Sequence, residues 1–164
     1  MKVGTDGVLL GAWARLDESH LRVLDIGTGT GVIALMMAQR GGAQRIVGVD
    51  IEQGAVECAT NNFLNSPWKE RLTAVHSSVQ DFEGEKFDLI LSNPPYFSHS
   101  LICPDSLRTM ARHTTSLTLE QLDASVSRLL EKSGRFALIL PTEQMERYLA
   151  LTQLNLVRRC DVRS

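Results

Sequence analysis

Residues 22–31 read Arg-Val-Leu-Asp-Ile-Gly-Thr-Gly-Thr-Gly, and this stretch decides the fold. Its apolar half predicts a short buried strand, and its three glycines predict a tight turn whose backbone a ligand can approach closely. Residues 32–39 carry a broad apolar face and predict a helix that ends at Gly41-Gly42. A strand, a glycine turn and a helix in this order are typical of α/β proteins that bind nucleotides.

The rest of the chain continues the alternation of strands and helices. Apolar runs predict further strands at 45–49, 72–76, 87–92, 136–140 and 156–162. Helices are predicted at 55–64, at 118–132 with a capping box at Thr118 and a stop at Gly134, and at 142–154 with Thr142 as its cap. The alternation predicts right-handed crossovers and a doubly wound, mostly parallel sheet of the α/β class. The long connection 97–117 is interpreted as a lid that faces the substrate.

Composition limits the class of protein. The 164 residues predict a single domain spanning 1–164, and a hydrophobic fraction of 43% with 22% charged residues is typical of a soluble globular chain. The net charge of −2 means that a nucleic-acid partner would need a local basic patch. Arg112 is the best candidate for that patch, because we interpret most of the other basic positions as solvated surface: Lys69, Arg71, Arg108, Arg158, Arg159 and Arg163. Three scattered cysteines and no apolar run of transmembrane length predict a cytoplasmic protein without membrane contact.

The residues around the glycine turn predict the cofactor. Asp50 ends the second strand, where an acid can accept hydrogen bonds from ribose hydroxyls. The third glycine comes one residue too early for a dinucleotide motif, and Asp25 would oppose a phosphate but complement a cationic amine. We therefore predict S-adenosylmethionine, held by Asp25, Gly27, Gly29, Gly31 and Asp50, with Asn93 as a further contact. After the third strand Asp81 lies late for an adenine contact, so Ser78 or the backbone of Val79 is expected to serve there.

The segment Asn93-Pro94-Pro95-Tyr96 follows the fourth predicted strand and predicts the chemistry. An exocyclic amine is a poor nucleophile because its lone pair is delocalised into the ring. The side-chain oxygen of Asn93 and the carbonyl of Pro94 can accept its two hydrogens, while Tyr96 offers a ring on which the base stacks. The double proline stiffens the turn. Positioning and preorganised dipoles then carry catalysis, with no metal or covalent nucleophile required.

The chain resembles the bacterial tRNA(Val)-specific adenine-N6 methyltransferases, a family that modifies the adenosine beside the anticodon. The resemblance extends over nearly the whole chain, and its most specific parts are the opening segment 1–13, the glycine turn, Asn-Phe-Leu-Asn-Ser-Pro-Trp at 62–68, residues 93–96 and Ala-Arg-His at 111–113. It implies that the opening segment closes over the cofactor, with contacts from Thr5 and Asp6. It also implies a tRNA substrate, with Asn93 through Tyr96 on the target adenine and Arg112 and His113 near the RNA.

Two departures from the family pattern stand beside this resemblance. The family has a further stretch before Met1 and a final strand after Ser164, so the chain is expected to be shortened at both ends and to lack the last strand of the sheet. The alternatives are N5-methylation of a protein glutamine, which uses the same four-residue motif, methylation of DNA adenine, a non-catalytic module that binds the cofactor or RNA, and an NAD-dependent oxidoreductase. A monomer is favoured.

Overall fold

A parallel five-stranded sheet forms the centre of the part of the chain that is described. The structure is a computed structural model, and it describes residues 3–95 and 117–163. The strands lie in the order β3-β2-β1-β4-β5, and each neighbouring pair is parallel. Their bounds are β1 (Arg22–Ile26), β2 (Arg45–Asp50), β3 (Leu72–His76), β4 (Phe87–Ser92) and β5 (Leu130–Leu138). The doubly wound parallel sheet predicted from the sequence is confirmed.

Helices cover both faces of this sheet and create two core layers. They are α1 (Thr5–Trp13), α2 (Val32–Arg40), α3 (Gln53–Leu64), α4 (Leu119–Leu129) and α5 (Thr142–Leu151), with a 3-10 turn at Lys69–Arg71. Helices α1, α2 and α3 contribute to the first layer, and α4 contributes to the second. Within β1, Val23 packs into the first layer and Leu24 into the second, as strand alternation requires. Burial on both faces explains why the consecutive residues Val23 and Leu24 are both apolar.

Predicted and observed boundaries agree best where apolar runs are bounded by turns. The strands predicted at 72–76 and 87–92 have those same bounds in the structure, as does the strand that precedes the glycine turn. Helices α2 and α3 extend the predicted segments by one or two residues at an end. Among the described residues, no helix combines the length and the apolar character that a membrane crossing requires. Apart from Leu117, the connection predicted as a lid lies outside the described residues.

The predicted helix stop at Gly134 is wrong. Helix α4 ends at Leu129, and Leu130 takes an extended conformation with φ −83° and ψ 137° as it enters β5. The β4–β5 register is irregular, since Phe87 pairs with Leu130 and Leu89 already pairs with Arg135. Gly134 lies in this irregular stretch, where a Cβ would stand 2.7 Å from the Leu130 side chain. The glycine thus permits a close approach within β5 instead of ending a helix.

The C-terminal prediction needs two further corrections. Helix α5 ends at Leu151 rather than near residue 154, and Thr142 is its first helical residue, with no side-chain cap at that end. Residues 156–162, predicted as a strand, have no strand conformation in the structure. A strand forms only where its backbone groups find a ladder partner. In this segment Arg158 and Arg159 instead bind side chains and a carbonyl of α1 and α5.

Helix α1 is an element that the sequence analysis did not assign. Its glycines lower intrinsic helix propensity, but Gly11 lies where a larger residue would clash. A Cβ on Gly11 would stand 2.5 Å from the sulfur of Met36, whereas one on Gly7 would stand 3.5 Å from Val32, an ordinary contact distance. Gly11 therefore lets α1 pack closely on α2. Tertiary packing outweighs propensity here.

The capping box at Thr118 gives a stability prediction. The Thr118 side chain accepts from the Gln121 amide at 3.1 Å, and the Gln121 side chain accepts from the Thr118 amide at 2.9 Å. Thr118→Ala is expected to lower the free energy of unfolding by about 1 kcal/mol, measured by urea denaturation. Thr142→Ala is the matched control, because Thr142 does not cap α5. Equal effects of the two substitutions would contradict the assignment.

Candidate active site

The strand register brings the predicted site residues to one edge of the sheet. Ile26 of β1 pairs with Val49 of β2 on one side and with Ser92 of β4 on the other. The next residues along the chain are Gly27, Asp50 and Asn93, so all three lie at the carboxyl edge of neighbouring strands. The strand order reverses between β1 and β4, and the crevice at such a switch point is where open parallel sheets bind ligands.

The glycine turn has a backbone that only glycine adopts readily. Gly27, Gly29 and Gly31 have φ values of +72°, +55° and +79°, and no other described residue has a positive φ. A Cβ on Gly27 would meet no atom within 4 Å, so the backbone is open to a ligand there. The amides of Gly27 and Thr28 donate to the carbonyl of Val49 at 2.9 and 3.1 Å. These bonds fix the start of the turn against the end of β2.

Helix α3 supports the far end of the turn. The Asn62 side-chain amide donates to the Thr30 carbonyl at 2.8 Å. The Phe63 ring packs so closely on Gly31 that a Cβ there would stand 2.4 Å from it. Sequence reasoning noted the segment 62–68 only for its family resemblance, and its contact with the turn was missed. Asn62 and Thr30 are 32 residues apart, so no local sequence pattern indicates their contact. Only the tertiary structure reveals it.

Asp25 is fully buried beneath the turn. Its Oδ2 accepts from the Thr28 hydroxyl at 2.7 Å, and its Oδ1 has no hydrogen-bond partner among the described residues. Burial raises the pKa of Asp25 to about 7, and the nearby Asp50 carboxylate adds to that rise. The hydroxyl of Thr28 and the backbone of Ala34 lower the pKa in part. The carboxyl therefore retains an unused acceptor in a region of low polarity.

Asp50 is half-buried and is oriented by two backbone amides. Its Oδ2 accepts from the Gly29 amide at 2.9 Å, and its Oδ1 accepts from the Glu52 amide at 3.0 Å. A carboxylate has about four lone-pair positions, so two bonds leave acceptor capacity for ligand hydroxyls. The contact with Gly29 couples the acid directly to the glycine turn. This geometry agrees with the ribose-binding role predicted for Asp50, which remains a prediction.

The end of β4 carries the catalytic candidates. Ser92 is fully buried, and its hydroxyl donates to the Ile26 carbonyl at 3.0 Å, which joins the ends of β4 and β1. Asn93 is half-buried, Pro94 is buried and Pro95 is exposed. Three other predicted site residues, Tyr96, Arg112 and His113, lie outside the described residues.

The opening segment lies beside this motif. Gly7 of α1 is buried, and a Cβ on it would stand 3.6 Å from the side-chain nitrogen of Asn93. Thr5 is exposed and Asp6 is half-buried, both in the first turn of the helix. The helix therefore flanks Asn93, as a segment that closes over a cofactor would have to do. The individual contacts predicted for Thr5 and Asp6 remain predictions.

The loop after β3 forms its own hydrogen-bond network. The Ser78 hydroxyl donates to Asp81 at 2.7 Å and accepts from the Asp81 amide at 3.1 Å. The Val79 side chain packs in the second core layer, which leaves its backbone for any ligand contact. The Arg128 guanidinium donates to the carbonyls of Val79 and Phe82 at 2.9 and 2.8 Å. The loop is thus held in place by α4, and the predicted adenine contacts of Ser78 and Val79 stay predictions.

Two of the basic residues considered for an RNA patch have structural partners. The Arg71 guanidinium donates to the carbonyls of Ala38, Gly41 and Ala43 at 2.7–3.1 Å and closes the C-terminal end of α2. Arg159 forms ion pairs with Glu146 and Asp161. Neither guanidinium is therefore a candidate for phosphate contact in this structure. Residues 3–95 and 117–163 contain no group of three His, Cys, Asp or Glu side chains arranged to hold a metal ion.

The burial of Asp25 gives a prediction about pH. Because its pKa is about 7 in the folded state and near 3.8 in the unfolded state, the unfolded chain binds fewer protons between these values. The carboxyl thus costs no stability below about pH 4, and stability is lost as the pH rises towards 7. Asp25→Asn should remove this dependence, so its melting temperature relative to the wild type rises between pH 5 and pH 8. Relative to the wild type, the free energy of unfolding of Asp25→Asn is expected to rise by about 2 kcal/mol between pH 5 and pH 8.

Differential scanning calorimetry across that pH range measures the effect. Glu83→Gln, which changes an exposed carboxyl, is the control and should leave the pH profile of the wild type in place. A profile of Asp25→Asn parallel to that of the wild type would show that Asp25 does not titrate with a raised pKa.

Comparison with known proteins defines the family. The family model described as methyltransferase small domain matches residues 8–149. The tRNA1(Val) (adenine(37)-N6)-methyltransferase of Bacteroides thetaiotaomicron is 51% identical over 149 residues, which cover 90% of this chain and 62% of the relative. The protein of the same name from Tolumonas auensis is 45% identical, and the match covers 99% of this chain and 70% of the relative. The chain thus spans less than two thirds of the length of the Bacteroides protein.

Solved structures agree on the fold. A ribosomal protein L11 methylase from Lactobacillus delbrueckii superposes with a TM-score of 0.62 at 21% identity, covering 95% of this chain and 72% of that chain. A geranyl diphosphate C-methyltransferase from Streptomyces coelicolor gives the same TM-score of 0.62 at 17% identity, covering 82% of this chain and 43% of that chain. The chain belongs to the methyltransferase small domain family and, within it, to the same family as the two tRNA1(Val) (adenine(37)-N6)-methyltransferases.

Proposed function

We propose that the chain transfers a methyl group from S-adenosylmethionine to the N6 amine of an adenosine in tRNA. The position of Asn93 carries the proposal: it is half-buried at the carboxyl edge of the sheet, one strand away from the glycine turn. A side-chain amide at this place can bind the adenine amine while S-adenosylmethionine, bound at the glycine turn, presents its methyl group to that amine. The names of the two relatives support adenine in tRNA as the substrate.

The residues around the turn fit S-adenosylmethionine. The open space at Gly27 lets a ligand approach the backbone, and a larger residue there would both fill that space and strain the turn. Asp50 retains acceptor capacity for the ribose hydroxyls. The buried Asp25 carboxyl beneath the turn favours a cationic amine nearby, whereas the Asp50 carboxylate at the same turn would repel a pyrophosphate.

The chemistry depends on position. When bound, S-adenosylmethionine supplies a methyl group attached to a positively charged sulfur. The Asn93 side-chain oxygen and the Pro94 carbonyl accept the two hydrogens of the adenine amine, which favours a pyramidal nitrogen and frees its lone pair. Pro94 is buried and has a fixed φ, and because Pro95 follows it the ψ of Pro94 is restricted too, so its carbonyl is held in a narrow range of orientations. The bond from Ser92 to Ile26 keeps the motif level with the glycine turn.

The proposal also assigns the substrate contacts. Pro95 and Tyr96 contact the adenine ring, Tyr96 by stacking, and Arg112 and His113 contact the RNA.

The proposal further includes the oligomeric state and the location: the protein acts as a monomer in the cytoplasm. Cys58 and Cys160 are free thiols, which supports a reducing compartment.

The direct test is a labelling experiment with the purified chain. Tritiated S-adenosylmethionine and total tRNA from cells that lack the modification are expected to yield N6-methyladenosine after digestion. Asn93→Ala should lower the rate at least 100-fold, because an interaction made in the transition state is lost, while cofactor affinity changes little. Asn61→Ala, at an exposed position of α3, is the control. Label on protein glutamine instead of tRNA would reject the proposed substrate, and full activity of Asn93→Ala would reject its role.

A second experiment tests the ribose contact. Asp50→Ala is expected to weaken binding of S-adenosylhomocysteine roughly 10- to 100-fold, since hydrogen bonds to a charged group are lost and Gly29 loses its acceptor. Isothermal titration calorimetry measures this affinity. The neighbouring exposed residue gives the control Glu52→Ala, which removes a charge without touching the turn through its side chain. An unchanged dissociation constant in Asp50→Ala would exclude the assigned role.

A further inference from the structure

Helix α1 has a position that matters for the proposed reaction. Its buried face places Gly7 beside Asn93 and Gly11 against Met36 of α2. The helix has nine residues, too few to be stable in isolation. Its position over the site therefore depends on what holds it from outside.

Two guanidinium groups hold the C-terminal end of α1. Arg40 of α2 donates to the Gly11 carbonyl, and Arg158 donates to the Trp13 carbonyl. The last carbonyls of a helix lack intrahelical donors and carry the negative end of its dipole, so cations bind well there. Arg40 belongs to the adjoining helix, but Arg158 comes from residues 152–163, at the opposite end of the sequence.

Arg158 also binds the ring of Trp13. Its guanidinium carbon lies 4.0 Å from the centroid of the indole, a cation–π geometry. Trp13 is half-buried and packs against the first core layer, so packing fixes the position of the ring that the cation contacts. One side chain thus makes both a hydrogen bond to the end of α1 and a stacking contact with its last residue.

The segment that carries Arg158 is anchored elsewhere in the fold. The Thr152 hydroxyl donates to Asp123 of α4 at 2.5 Å, and Leu154 packs on the second core layer. Arg159 pairs with Glu146 of α5 at 2.7 Å. Leu154 contacts the second core layer, and Arg158 contacts Trp13 beside the first. The chain therefore runs from one layer to the other within four residues, about 14 Å at full extension. It is a strap between α4–α5 and α1.

We propose that Arg158 is a positioning residue that, through this strap, keeps α1 docked beside Asn93 in the conformation that binds the cofactor. The inference rests on the proposed function, since it assumes that the cofactor binds under α1. Loss of the contact would lower the population of the docked state. The apparent affinity for the cofactor falls in proportion to that population, while the rate of the bound complex stays the same.

Arg158→Ala tests the proposal. Loss of the cation–π contact and of a hydrogen bond is expected to raise the dissociation constant of S-adenosylhomocysteine roughly fivefold in isothermal titration calorimetry. In methylation assays the KM for S-adenosylmethionine should rise by the same factor with kcat unchanged. Arg163→Ala removes the same charge from an exposed residue farther along the segment and should leave both values at the wild-type level. Arg158→Lys, which keeps a cation, should recover part of the loss.

Hydrogen exchange separates a docking role from general destabilisation. In Arg158→Ala the amides of α1 are expected to exchange faster, while those of β1 keep their protection. If this variant does not fold, Arg158→Gln replaces it, because glutamine keeps a donor near the Trp13 carbonyl. We then expect a smaller increase in the exchange rate of the α1 amides. Unchanged exchange in α1 together with a wild-type dissociation constant would overturn the proposal. A wild-type chain that binds no S-adenosylhomocysteine would instead reject the proposed function, and the exchange of α1 would still test the strap.

Discussion

The parallel register of β1, β2 and β4 is the constraint on which the site depends. It makes Ile26, Val49 and Ser92 level, so that the residues after them reach the same edge of the sheet. Three segments that are far apart in sequence thereby supply a glycine turn, an acid and an amide. The bond from the Ser92 hydroxyl to the Ile26 carbonyl fixes this alignment where the strands end. Helices on both faces make the register firm, because a slip would expose a buried face.

The glycine turn is supported by contacts from the core and from helix α3. Asp25 binds Thr28 from inside the core, and Asn62 and Phe63 of α3 hold Thr30 and Gly31. A turn built from three glycines would otherwise be costly to order, because glycine loses more conformational freedom than other residues. These supports explain how the backbone can stay in one conformation while leaving space beside Gly27. A preorganised cradle of this kind reduces the entropy that a ligand must overcome on binding.

Local sequence predicted the elements whose signals are local. The apolar runs that form β1, β3 and β4 gave correct bounds, and the Thr118 capping box was correct because all its partners lie within four residues. The errors came where a distant contact decides the conformation. Gly134 is typical of a residue that ends a helix, but the chain has already entered the sheet at Leu130, opposite Phe87. Helix α1 was missed because Gly11 fits closely against Met36 of α2, and no local pattern records that contact.

The sequence by itself determined the α/β class, the glycine turn and the identity of the acid and amide at the strand ends. These features follow from periodicity and residue chemistry, which act over a few positions. Only the tertiary structure decided that Asp25 is buried with a raised pKa, that Asn62 and Phe63 support the turn, and that Arg158 binds Trp13. Burial and contacts between distant residues depend on how the helices pack on the sheet. That packing is a property of the whole fold, so no single segment contains it.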